Sequence, residues 1–96
     1  MTLEELMAIV QKFDEDQTVY VREPWTPDAT VVVTLEPEDG TLPPEAQGHA
    51  NLLDVFLIND ILDTWRAHHG TTASPREAAE AVIHYAGHDA YLMPET

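Results

Sequence analysis

Two clusters of prolines decide how this chain can be divided. Pro24 and Pro27 stand in Glu23-Pro24-Trp25-Thr26-Pro27-Asp28, and Pro37, Pro43 and Pro44 stand between Glu36 and Gly48. Proline lacks a backbone N–H and fixes φ, so neither cluster fits inside a helix or a central strand. Thr18-Val19-Tyr20-Val21-Arg22 precedes the first cluster, and Ala29 to Leu35, with Val31, Val32 and Val33, follows it. Both runs are rich in β-branched or aromatic residues and read as strands. They are expected to pair as an antiparallel hairpin with a wide loop. Residues 36–48 hold three prolines, two glycines and four acids and are expected to form an exposed acidic loop.

Helical signals flank these strands. Thr2 and Glu5 have capping-box spacing, and Leu3, Leu6, Met7, Val10 and Phe13 recur as one apolar stripe. Asp14-Glu15-Asp16 would sit unfavourably at the negative end of a helix, so the spacing predicts a helix over 3–13. Ser74-Pro75-Arg76-Glu77 combines a capping serine, a proline at the first helical position and a glutamate at the third. It predicts a helix over 75–86, with Ala78, Ala79, Val82, Ile83, Tyr85 and Ala86 on its buried side and Gly87 ending it.

Residues 49–69 admit two readings. Asn51-Leu52-Leu53-Asp54 caps one long helix, or Ala50 to Phe56 is a third strand followed by a helix over 58–69. Ile58, Ile61, Leu62 and Trp65 have helical spacing under either reading, and Gly70 closes that helix. Six apolar residues among the seven from Leu52 to Ile58 favour a buried strand there. Ala90-Tyr91-Leu92 are expected to pack back onto the core before a tail at 93–96. The fold class that results is α+β: a small, mainly antiparallel three-stranded sheet with three helices packed against it, in a single domain over 1–96.

Charge limits what such a domain binds. Eighteen acids oppose four bases (Lys12, Arg22, Arg66 and Arg76), a net charge of −14. Residues 1–45 carry eleven of the acids and two of the bases, so the acidity leans toward the first half. This surface repels phosphate backbones and anionic headgroups, so neither nucleic acid nor membrane is an expected partner. It attracts a basic protein instead. The competing explanation is solubility, or adaptation to a salty cytoplasm. The absence of cysteine excludes disulfides and thiolate chemistry, and favours a cytoplasmic location. The N-terminus lacks the pattern of a signal peptide. Leu52 to Leu62, broken by Asp54, Asn59 and Asp60, falls far short of the ~20 residues that span a bilayer.

No standard catalytic arrangement is present, and neither enzymatic activity nor a cofactor is expected. Ser74, the only serine, is explained as a cap, and the four glycines are too scattered for a phosphate loop. Carboxylate pairs such as Asp60/Asp63 and Glu36/Glu38 arise by chance among so many acids. His84 and His88 are four apart, the spacing of helical zinc ligands, but Tyr85 stands where a zinc protease has glutamate. If Gly87 ends the helix, that geometry is lost, and the histidines read as favourable charges at a helix C-terminus. Trp25, between prolines, is either an exposed anchor or a lid over the edge of the core, with the lid favoured.

Taken with the order of elements, Pro24-Trp25-Thr26-Pro27-Asp28 and Tyr85 through Asp89-Ala90-Tyr91 resemble a family of small acidic bacterial proteins classed as a domain of unknown function. The resemblance implies a bacterial, cytoplasmic, non-enzymatic protein and no catalytic residues. Gly87-His88 departs from the polar pair common at those positions in the family. The leading functional expectation is a binding protein of the immunity, antitoxin or nucleic-acid-mimic type, presenting an acidic surface to a basic protein. Its contact residues are expected among Trp25, Glu36, Glu38, Asp39, Asp14, Glu15 and Asp16. The alternatives are a self-associating accessory module, which leaves a homo-oligomer open, and a metal-binding protein using His84 and His88.

Overall fold

The computed structural model describes residues 1–39 and 41–88. It is an α+β fold with three helices, α1 (Leu3–Met7), α2 (Val55–His69) and α3 (Pro75–His88). The strands are β1 (Gln17–Val21), β2 (Val31–Leu35) and β3 (Ala50–Asp54), in the spatial order β2-β1-β3. Both pairings are antiparallel: Val19 lies opposite Val33 on one side and Leu53 on the other. A bulge between Val19 and Tyr20 shifts the β1–β3 register. The expected fold class is thus the observed one. The expected packing of Ala90-Tyr91-Leu92 and the tail at 93–96 lie outside the described residues.

Alternation along β1 gives the sheet two faces. Val19 and Val21 join Val31 and Leu52 beneath the helices, where Leu3, Leu6, Val10, Val55, Ile58, Ile61, Ala79 and Val82 complete the core. Thr18 and Tyr20 are also buried, on the opposite face, although neither belongs to that core. The segment after β2 folds over this second face. Thr34 Oγ1 donates to Glu45 Oε2 at 3.2 Å, and Ala46, in a single 3-10 turn at Pro44–Ala46, is wholly buried. The 36–48 loop is therefore mostly exposed at its acids and buried at Pro43 and Ala46.

Three helical boundaries differ from those the sequence suggests. The helix expected over 3–13 ends at Met7, and a 3-10 turn follows at Val10–Lys12. Hydrogen bonds there run from residue i to i−3, as in Ile9 N to Leu6 O at 2.9 Å and Phe13 N to Val10 O at 3.1 Å. The tighter winding rises about 2.0 Å per residue rather than about 1.5 Å, carrying the chain further toward β1 while Val10 stays in the core. The second difference is at the third strand, which ends at Asp54 rather than Phe56, so α2 begins at Val55 rather than Ile58. Asp54 causes this: its Oδ1 accepts from Leu57 N at 2.8 Å and starts the helix at once. The third is α3, which runs through Gly87 to His88. By contrast, Gly70, with φ 75°, closes α2 as expected and donates its N–H to Arg66 O.

Two capping boxes form as the sequence indicates. Thr2 and Glu5 exchange bonds of 2.8 and 3.2 Å, and Ser74 and Glu77 exchange bonds of 3.0 and 3.2 Å. The Ser74 N–H and then its hydroxyl hold the Glu77 carboxyl below the usual glutamate range, and Thr2 does the same for Glu5. Arg76 joins α3 to α1 through Glu4 Oε1 at 3.3 Å.

The Ser74 cap gives a first prediction. Ser74→Ala should lower stability to urea by about 1 kcal/mol at neutral pH. A carboxylate with a depressed folded pKa stabilises the fold above its unfolded value near ~4.3 and ceases to as pH falls through the folded one. The difference between Ser74→Ala and the parent should therefore shrink between about pH 5 and pH 2. A difference that is constant with pH would separate Glu77 from the cap.

Candidate functional site

The acidic residues meet at one end of the sheet, where β1 starts and β2 and β3 finish. Asp14-Glu15-Asp16 form the turn into β1, fixed by Gln17 N to Asp14 O and Asp14 N to Gln17 Oε1, both 3.1 Å. The Glu15 carbonyl accepts from Phe56 N at 3.1 Å. Phe56 N–H belongs to the first turn of α2, whose donors have no partner within the helix. The acids thus sit against a helix N-terminus, where the helix dipole favours negative charge. They line a shallow, open depression together with Gln11, Phe13 and Asn59.

Register brings the second acidic segment to the same end. Gln17 pairs with Leu35, so Asp16 and Glu36 are the next residues outward on neighbouring strands. Glu38 is exposed beyond them. Asp39 is committed to its own loop, accepting from Thr41 Oγ1 at 2.7 Å and Thr41 N at 3.0 Å. These two bonds, the hydroxyl's first, hold its carboxyl below the usual range. Glu36 and Glu45 also act on buried Tyr20. Desolvation raises the phenol's pKa, and the two carboxylates raise it further. Tyr20 Oη has no hydrogen-bond partner among the described residues.

Two large apolar side chains stand exposed at this acidic end. Phe56 is 60% exposed and Leu35 57%. Phe56 went unnoticed in the sequence because the run 52–58 reads as a buried strand. On a helix beginning at Val55, the buried residues are Val55, Ile58, Ile61 and Trp65, and Phe56 falls outside that stripe with Asp60 and Asp63 at i+4 and i+7. The aspartate cap at position 54 was the available signal.

Trp25 does not join this site. It lies beyond the far end of β1, roughly 15 Å of strand away, half-buried against the core. With Thr26 and Pro27 it borders a groove completed by Glu80, Ile83, His84, Gly87 and His88 of α3. Its Nε1 is buried without a partner among the described residues. Because α3 does not stop at Gly87, His84 and His88 remain on one face, with ring centroids 4.4 Å apart and planes tilted by 49°. Among the described residues no cluster of three or more His, Cys, Asp or Glu side chains is arranged to hold a metal. No helix among them is long and apolar enough to cross a membrane.

Compared with known protein families, curated proteins and solved structures, the chain finds no match.

The exposure of Phe56 gives a second prediction. Phe56→Ala should change stability to urea by less than about 0.5 kcal/mol. Ile58→Ala, two residues on, should cost about 2–5 kcal/mol. Comparable losses at both positions would place Phe56 in the core and remove it as a surface anchor.

Proposed function

We propose that the acidic end of the sheet docks a basic surface of another protein, as immunity proteins, antitoxins and nucleic-acid mimics do. The observation that carries this reading is Phe56, 60% exposed and hydrogen-bonded through its backbone N–H to the turn Asp14-Glu15-Asp16. An acidic surface alone accounts for steering but not for a lasting contact. An exposed aromatic next to an acidic turn, desolvated on docking, supplies both, because the field sets the encounter rate and the anchor sets residence time. Leu35 adds a second apolar contact beside Asp16 and Glu36. Asp39 is held in place by Thr41, which occupies its Oδ1 through both the hydroxyl and the backbone N–H. Trp25 is not part of this docking surface. The partner would be a basic protein met in a bacterial cytoplasm, the setting implied by the family resemblance.

Self-association is the second reading, favoured by the same exposed Phe56 and Leu35. Two copies docking through this end bring like charges together, so salt should promote dimers while weakening a basic partner. The two readings therefore depend on salt with opposite sign.

The test is capture of proteins from the source cell on the immobilised chain, followed by binding kinetics with whatever is retained. Retained proteins should be basic, and association should slow at least tenfold between roughly 0.05 M and 0.5 M salt. The triple variant Asp14→Asn, Glu15→Gln, Asp16→Asn should slow association. Phe56→Ala should mainly hasten dissociation. A rate flat with salt, or kinetics unchanged in both variants, would sink the proposal. Light scattering that shows dimers growing with salt would favour self-association.

A further inference from the structure

The groove at the other end of the molecule is independent of the acidic end and holds two nitrogen ligands that the proposed docking does not use. His84 and His88 are successive residues on one face of α3, and the helix continues unbroken through Gly87 between them. Their ring centroids lie 4.4 Å apart. At that separation one nitrogen of each ring reaches a shared ion at the ~2.0–2.1 Å of a metal–imidazole bond after small side-chain rotations. His88 stands in the last turn of α3 and His84 one turn earlier, toward the end of the helix that the helix dipole makes partially negative. Glu80, one turn earlier, lines the same groove and adds to that field. The chain as a whole, at −14, concentrates cations around itself.

We propose that His84 and His88 form a two-nitrogen binding site for a borderline divalent transition metal, of the Ni²⁺, Cu²⁺ or Zn²⁺ type, in the groove that also holds Trp25. Donor chemistry sets the selectivity. Imidazole suits these ions, whereas Ca²⁺ and Mg²⁺ take oxygen donors. With two protein ligands, the remaining coordination positions stay with water or with a donor brought by another molecule. The site is thus an open one, unlike the closed four-ligand sites that hold a fold together. The other adjacent histidines, His68 and His69, are less suited. The His69 ring stacks on Trp65 with centroids 3.6 Å apart, and its Nδ1 lies 3.0 Å from the Trp65 carbonyl oxygen, which occupies it as a donor.

Trp25 makes the proposal readable without an assay of function. Bound Ni²⁺ or Cu²⁺ is paramagnetic and broadens nearby amide and indole signals in a ¹H–¹⁵N spectrum. Titration of the intact chain with NiCl₂ should saturate at one ion per chain. Broadening should centre on residues 80–88 and on the Trp25 indole N–H, and leave the Trp65 indole comparatively sharp. CaCl₂ should produce none of this pattern, since its contacts with the acidic surface are diffuse. His84→Asn and His88→Asn should each weaken Ni²⁺ binding by roughly 10²-fold, the loss expected when a two-point contact becomes single. Their circular dichroism should match the parent, because His84 is half-buried and His88 exposed. Broadening centred on Trp65 and His69 would overturn the assignment, as would Ni²⁺ binding unchanged in both variants. So would an equal response to Ca²⁺. The wild-type spectrum decides the matter even if a variant misfolds.

Discussion

Asp54 is the hinge on which the architecture turns. It is the last residue of β3, paired with Thr18, and also the N-cap of α2, bonded to Leu57 N. No loop separates strand from helix. The geometry of the sheet is thereby imposed on the direction of α2, and Val55, Ile58, Ile61 and Trp65 are aimed into the core from their first residue. A second bond, from Phe56 N to the Glu15 carbonyl, ties the same helix start to the turn entering β1. One helix terminus thus fixes the ends of two strands, and those ends carry the acidic surface. The same interaction that starts α2 leaves Phe56 facing outward.

A chain of net charge −14 also places three consecutive acids beside a folded core. Self-repulsion destabilises compact states. The turn Asp14-Glu15-Asp16 is held to the start of α2 through a backbone carbonyl rather than a carboxylate. The capping glutamates Glu5 and Glu77 exploit the helix dipole. Arg76 bridges Glu4 and approaches Glu80 at 3.6 Å, but these pairs are exposed and contribute little each. Few of the acids are thus matched by a base, while Glu5 and Glu77 are held by their caps.

Much of this was legible in the sequence, for identifiable reasons. Capping boxes at Thr2/Glu5 and Ser74/Glu77 are local hydrogen-bond chemistry, and they formed where the residues predicted. The proline breaks isolated β1 and β2, and the stripe Ile58, Ile61, Trp65 placed α2. What failed depended on choices that periodicity does not encode. A continuous apolar run from Leu52 to Ile58 looks the same as strand or as helix, and Asp54 divides it by serving both elements. The change to 3-10 winding after Met7 keeps the same apolar residues inward, so the stripe gave no sign of it. Gly87 signals a stop in the sequence, yet glycine inside a helix costs only about 1 kcal/mol, and α3 continues through it. The acidic segments were visible as composition, but their convergence on one end needed the register Gln17 to Leu35. The exposure of Phe56 at that end is hidden by the strand reading.

The packing of α1 on α3 joins two elements far apart in sequence. Leu3, Leu6 and Met7 are buried chiefly by the last helix, and Arg76 meets Glu4 across 72 residues of sequence. The β1–β2 hairpin needs only residues 17–35, but α1 finds its cover only once α3 has been made. During synthesis α1 is therefore made well before the helix that covers it and docks late. Such long-range closure raises contact order and slows folding. Until α3 emerges, the apolar stripe of α1 stays uncovered, flanked in the sequence by the acids at Glu4, Glu5 and Asp14 to Asp16.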